Sequence, residues 1–200
     1  MNQYPDFLSV LEISDSYPGS LGDFSESTAD IIVIAIHSDN LENIRSLLSS
    51  ISDSLPLFSK CPRFFLSLPS PRIRSCIPLL NTLYPYQPEG VLIKNFQRLT
   101  EITHLSVQLS VHEAYCNFPE GSVQIAAVFD NPSAFLQLLS TPMKPTERLC
   151  LIGKDFSLAD QTQQKKRTHR KPDVTSETRS SFLDDVLILT ASAWNIPLLE

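Results

Sequence analysis

Nowhere does this sequence hold an apolar run approaching the roughly 20 residues that a bilayer span requires. Even Ile31–Ile36 is followed at once by His37, Ser38 and Asp39. A transmembrane protein is not expected. Positive charge is not in excess either: the net charge is -6, which disfavours generic binding to nucleic acid or to anionic lipid and leaves small solutes or other proteins as the expected partners. The N-terminal residues carry no basic stretch, and the first arginine is Arg45. Neither a secretory signal nor an Arg-rich transit peptide is expected, and the cytoplasm is the expected compartment. No Cys-x-x-Cys pair occurs among Cys61, Cys76, Cys116 and Cys150, so reduced thiols behaving as small hydrophobes are expected rather than a zinc or redox site. His37, His104, His112 and His169 lack the i, i+4 spacing of a helical metal site. Only His37, at the end of an apolar run, stands where a site could form.

What is present is a repeating unit. The chain has 200 residues, 42% of them hydrophobic, enough for one domain over residues 1–200. Short β-branched runs alternate with stretches of helical period, the pattern of successive βα units on a parallel sheet. Strands are predicted at Leu8–Ile13, Ile31–His37, Arg63–Leu68, Gly90–Lys94, Ser122–Phe129 and Arg148–Ile152, with Ile196–Leu199 as a seventh. Several are apolar throughout, as strands buried on both faces are. Helices are predicted at Leu41–Ser52, Ile73–Tyr84, Gln97–Tyr115, Pro132–Leu139 and Glu177–Asn195; Leu41, Ile44, Leu47, Leu48 and Ile51 show the spacing plainly. Residues 161–178 break the pattern, being polar and carrying the basic run Lys165–Lys171, and are read as a solvated loop insertion.

Such units wind into an open sheet or close into a barrel. A closed eight-stranded barrel takes about 250 residues, so the expected fold is an incomplete parallel (β/α) TIM-type barrel of six to seven βα units, with a gap where an eighth strand would stand. In this architecture ligands bind at the C-terminal ends of the strands. That rule selects Ser14, Asp15, His37, Ser38, Ser67, Lys94, Asn95, Asp130 and Asp155. Asp130 and Asp155 end successive strands and could share a Mg²⁺, which takes one or two carboxylates plus water and substrate oxygens; equally, Asp130 could cap the helix entered at Pro132 and Asp155 a turn.

The order of motifs resembles the citrate lyase beta-subunit family of the aldolase/citrate lyase group. It runs through Ser9–Leu11 with Pro18 and Gly19, Ala29–Ile34, Pro62–Phe65, Glu89–Lys94, Gly121–Val128 with Asp130–Pro132, Leu151–Leu158, and Thr178–Ser180 to Asn195–Pro197. The resemblance implies a Mg²⁺-dependent carbon-carbon lyase acting on CoA thioesters or keto acids, and homo-oligomers. It assigns Asp130 and Asp155 to the metal, Lys94 to catalysis, and Ser67 and His37 to the substrate. Departures from the family's pattern accompany it. Asp130 stands where the family has a longer Glu, Ser67 and Leu8 where it has Arg, and Ala35, His37 and Ser38 where it has acidic residues. A serine hydroxyl cannot imitate a guanidinium fork on a developing enolate, and losing such a donor typically costs about 10² to 10³ in rate. The alternative reading is therefore a catalytically inactive paralogue that acts as a binding or assembly subunit.

Overall fold

The computed structural model describes residues 7–14, 29–36, 41–54, 62–68, 88–94, 96–129, 132–141, 143–154 and 175–199. Its strands are β1 (Phe7–Leu8), β2 (Val10–Ser14), β3 (Ile31–Ala35), β4 (Arg63–Leu68), β5 (Gly90–Ile93), β6 (Gln124–Phe129), β7 (Leu149–Lys154) and β8 (Leu198–Leu199). Four helices are described: α1 (Leu41–Ser54), α2 (Leu99–Cys116), α3 (Pro132–Leu138) and α4 (Thr175–Trp194). The helix expected at Ile73–Tyr84 lies outside the described residues. Most of the expected 161–178 insertion does too, but its last residues, from Thr175 on, are the first turn of α4.

All strand pairs are parallel, in the order β1-β8-β7-β6-β5-β4-β3-β2. β1 and β2 are two parts of one first strand separated only by Ser9, so the sheet has seven strand positions. These curl through 235° into an incomplete α/β barrel. Where an eighth strand would stand, the first strand serves both edges. Phe7 and Leu8 pair with Leu198 and Leu199, while Val10–Ser14 pair with Ile31–Ala35. The break at Ser9 is held from the next strand: Asp30 accepts from the Ser9 amide at 3.0 Å and from its hydroxyl at 2.9 Å. The Ser9 carbonyl in turn accepts from the amides of Asp30 and Ile31.

Alternation along each strand produces two apolar layers. Ile32, Ile34, Leu66, Val91, Ile93, Ile125, Ala127, Phe129 and Ile152 face outward, onto the helices. There they meet Leu48 of α1, the buried stripe Ile102, Leu105 and Leu109 of α2, Leu138 of α3, and Val186, Leu187 and Trp194 of α4. Ile31, Val33, Phe65, Leu92, Ala126, Val128 and Leu151 face inward and fill the barrel. Gly90 belongs to this inner face for a steric reason: a Cβ there would lie 2.4 Å from the Phe65 ring and 2.6 Å from the Gln124 carbonyl. Gly153 likewise lets β8 approach, since its Cβ would stand 2.9 Å from that of Leu199.

The helix ends follow from local chemistry. Glu101, in the first turn of α2, accepts from the amides of Gln97 and Arg98 at 2.8 and 2.9 Å, satisfying donors that a helix start leaves orphaned. α2 and α4 both stop at an asparagine in the left-handed region, Asn117 at φ 58° and Asn195 at φ 52°. There the amides of Phe118 and Ile196 turn back onto Glu113 and Ala191.

Below the barrel, where strands begin, α2, β6 and β7 are tied through one buried ion pair. Arg148 donates to the Glu113 carboxylate from Nη1 at 2.7 Å and Nη2 at 2.6 Å. Glu113 also accepts from the amides of Gly121 and Val123, both at 2.9 Å, and from the Ser122 hydroxyl at 3.2 Å. Arg148 also donates to the Val123 carbonyl and the Ser110 hydroxyl. Both charges are thus matched and hydrogen-bonded, the condition under which a buried ion pair is tolerated.

Candidate functional site

The inner face changes character toward the C-terminal ends of the strands, where, among the described residues, the apolar filling gives way to the polar side chains of Glu12, Ser67 and Lys94. Glu12 is in register with Val33, whose side chain belongs to the inner layer, so β2 aims it into the barrel. Ser67 is in register with Ala35 on one side and with the inward Leu92 on the other. Lys94 follows the last residue of β5, two residues beyond Leu92 and on the same face. Its Nζ crosses the mouth to Glu12, donating to the two carboxylate oxygens at 3.0 and 3.3 Å. The lysine side chain is 23% exposed and the glutamate 47%, so the pair sits at the rim, partly screened by water.

Ser67 is different. It is only 8% exposed, and its hydroxyl has no side-chain hydrogen bond among the described residues. A buried hydroxyl is normally paired, because leaving it unsatisfied costs about 1–3 kcal/mol. Ser67 thus brings an uncommitted donor and acceptor to the strand-end mouth.

Among the residues expected at the site, Lys94 and Ser67 are therefore brought to one mouth. His37, Asp130 and Asp155 lie outside the described residues. Among the described residues no group of three or more His, Cys, Asp or Glu side chains stands close enough to hold a metal ion. The described part of the mouth, with its carboxylate engaged by an ammonium, does not by itself offer the oxygen cluster that Mg²⁺ requires. Glu12 was not singled out from the sequence, although the alternation Leu8, Val10, Glu12 marks it as a charge at an inward position of an otherwise apolar strand.

A second cluster occupies the opposite end. The Arg63 Nε donates to Glu89 at 2.7 Å, its guanidinium lies 5.3 Å from the centroid of the Phe65 ring, and Nη2 approaches the Cys150 sulfur at 3.7 Å. Burial raises the Cys150 thiol above its ordinary value, against the pull of the Arg63 charge and its hydrogen bond, which keeps it a thiol rather than a nucleophilic thiolate. A cavity of 330 Å³ lined by Ser110, Val111, Ala114, Phe118 and Glu120 lies on the α2 surface, away from the mouth.

No protein-family model matches the chain, and no curated protein matches it in sequence. Solved structures do. Malate synthase of Haloferax volcanii in its native form with glyoxylate superimposes with a TM-score of 0.69 at 14% identity, over 96% of this chain and 62% of that one. Its magnesium/glyoxylate complex gives 0.66 at 14% identity, over 96% and 63%, and its pyruvate/acetyl-CoA ternary complex gives 0.65 at 13%, over 98% and 58%.

The chain is similar in fold to malate synthase.

It spans about three-fifths of the length of the malate synthase structures it matches. Identity at this level shows the barrel architecture alone. Among the described residues no helix is long and apolar enough to cross a membrane.

Proposed function

We propose that the mouth at the C-terminal ends of β2, β4 and β5 is the active site of a carbon-carbon lyase or condensing enzyme acting on small keto acids or CoA thioesters. The observation that carries this reading is the convergence of Lys94, Glu12 and the buried Ser67, unpartnered among the described residues, at the end of the barrel where such folds place their chemistry. The malate synthase structures of like fold include complexes with pyruvate and acetyl-CoA and with magnesium and glyoxylate, which supports a small-molecule substrate of that kind. Lys94 supplies positive charge toward a developing enolate oxygen, and Glu12 is the counterion of that ammonium in the ligand-free mouth. The reading keeps Asp130 and Asp155 as the carboxylates that would hold Mg²⁺, with His37 on the substrate side; bound there, the ion would add charge stabilisation at the enolate. The resemblance to the citrate lyase beta-subunit family, a cytoplasmic setting and assembly into homo-oligomers belong to the same proposal.

One observation favours the second reading, a catalytically inactive binding or assembly subunit. Ser67 cannot replace the family's arginine, and among the described residues nothing else at the mouth supplies a guanidinium.

The two readings separate in a lyase assay over a keto-acid and CoA-thioester panel, run beside calorimetric Mg²⁺ titration. Wild-type protein is expected to show weak Mg²⁺ binding and slow turnover, Asp155→Ala to lose both, and Ser67→Arg to raise turnover. Absence of turnover in wild type and Ser67→Arg alike selects the inactive subunit. Turnover at ordinary enzyme rates that is unaffected by Asp155→Ala places the active site elsewhere.

A further inference from the structure

Lys94 has three N–H donors and no acceptor. At the mouth it meets only one counterion among the described residues, the carboxylate of Glu12. Ser67 and Lys94 stand on neighbouring strands two residues out of register. With strands about 4.8 Å apart and a two-residue step of about 6.6 Å, their Cβ atoms are about 8 Å apart. A carboxylate lying between them can take the ammonium on one oxygen and the Ser67 hydroxyl on the other at ordinary hydrogen-bond lengths. Beneath this span the inner face is apolar and closed, with Leu92 and Val128 at 3% and 7% exposure, so the floor suits a short carbon chain.

Glu12 fits poorly into a scheme in which it helps such a ligand bind. Two carboxylates on one ammonium repel each other, and the Glu12 oxygens already occupy the face of Nζ that looks across the mouth. We infer that this mouth binds a small carboxylate anion through Lys94 and Ser67, and that Glu12 is the built-in counterion with which the ligand competes for Lys94. This deepens the reading above and rests on its placement of the site, but requires no lyase chemistry. Because the Lys94 to Glu12 pair is partly exposed, it is a weak clamp. The cation is held ready and the competitor is easily moved.

The consequence runs against ordinary intuition for a site residue: removing the Glu12 charge should improve binding. The test is titration of the full chain with acetate, pyruvate and oxalate, followed by calorimetry and by ligand-observed NMR, for wild type, Glu12→Gln, Lys94→Met and Ser67→Ala. Circular dichroism and thermal melting confirm that each variant is folded. Glu12→Gln is expected to tighten binding about three- to tenfold, from relief of competition and of like-charge repulsion. Lys94→Met is expected to abolish it, and Ser67→Ala to weaken it several-fold. Added salt should weaken binding to wild type and Glu12→Gln alike. Unchanged or weaker binding in Glu12→Gln, wild-type affinity in Lys94→Met, or no binding of any of the three anions to Glu12→Gln overturns the inference. If this order of affinities holds while the lyase panel is silent, only the catalytic reading falls. Turnover combined with the reverse order rejects the inference alone.

Discussion

Replacing Glu113 with glutamine removes one charge from the interior and leaves the rest of the cluster where it was. Glu113 is fully buried and Arg148 is 7% exposed on its side chain, so neither can recruit water to make good the loss. The glutamine oxygen can still accept from the amide of Gly121 or Val123, but its NH₂ group must face a guanidinium that now has no counterion. Breaking one side of a buried pair in this way costs about 3–5 kcal/mol, a large share of the roughly 5–15 kcal/mol that holds a domain together. At about 2–4 °C per kcal/mol for a chain of this size, the melting temperature should fall by about 6–20 °C. The double variant Glu113→Gln with Arg148→Met removes the stranded charge and should be less damaged than the sum of the single variants. Acid adds an independent check. Burial pushes the Glu113 carboxyl up, but the hydrogen bonds from Arg148, Val123 and Gly121 and the Arg148 charge outweigh it, and its pKa lies below the ordinary value of 4.5. A carboxyl lowered in the folded state contributes stability that is complete above the unfolded value and is lost as pH falls through the folded one. Urea titrations should therefore show wild-type stability dropping below about pH 4.5, with that part of the drop absent in Glu113→Gln. A loss under about 1 kcal/mol in Glu113→Gln at neutral pH, or an unchanged acid limb, would refute the account of this cluster as the tie between α2, β6 and β7.

Two further outcomes follow from packing and titration. Gly90→Ala forces a methyl into the Phe65 ring and the Gln124 carbonyl; a loss of about 1–3 kcal/mol or more is expected in chemical denaturation, with Phe65→Leu in the same chain recovering part of it, because the ring can be shortened and the backbone carbonyl cannot. His112 is held below its ordinary value of 6.5 by burial, which outweighs the raising effect of the Glu113 charge. Its contribution is thus full above the unfolded value and lost as pH falls through the folded one, so His112→Gln should flatten the stability profile just below about pH 6.5; an identical profile would count against it.

Local pattern alone determined much of this protein. Runs such as Ile31–Ala35 and Leu149–Ile152 can bury both faces only in a parallel sheet covered by helices, and the 3.6-residue period of α1 and α2 supplies that cover. The strand and helix positions agree with the described elements to within a few residues, as does the count that makes the barrel incomplete. Lys94 and Ser67 were legible as strand-end polar residues, because the strand-end rule needs only the order of elements. Pairings between distant residues were not legible, since nothing local encodes them. That Phe7 and Leu8 reach back to Leu198 and Leu199 depends on how far seven strands curl. Glu113 and Arg148 look in the sequence like one solvated helix charge and one strand-edge charge, and only the meeting of α2 with the start of β7 buries them together. The tertiary structure likewise decided the state of Lys94, because it is the curl of the barrel that carries Glu12 across the mouth to it.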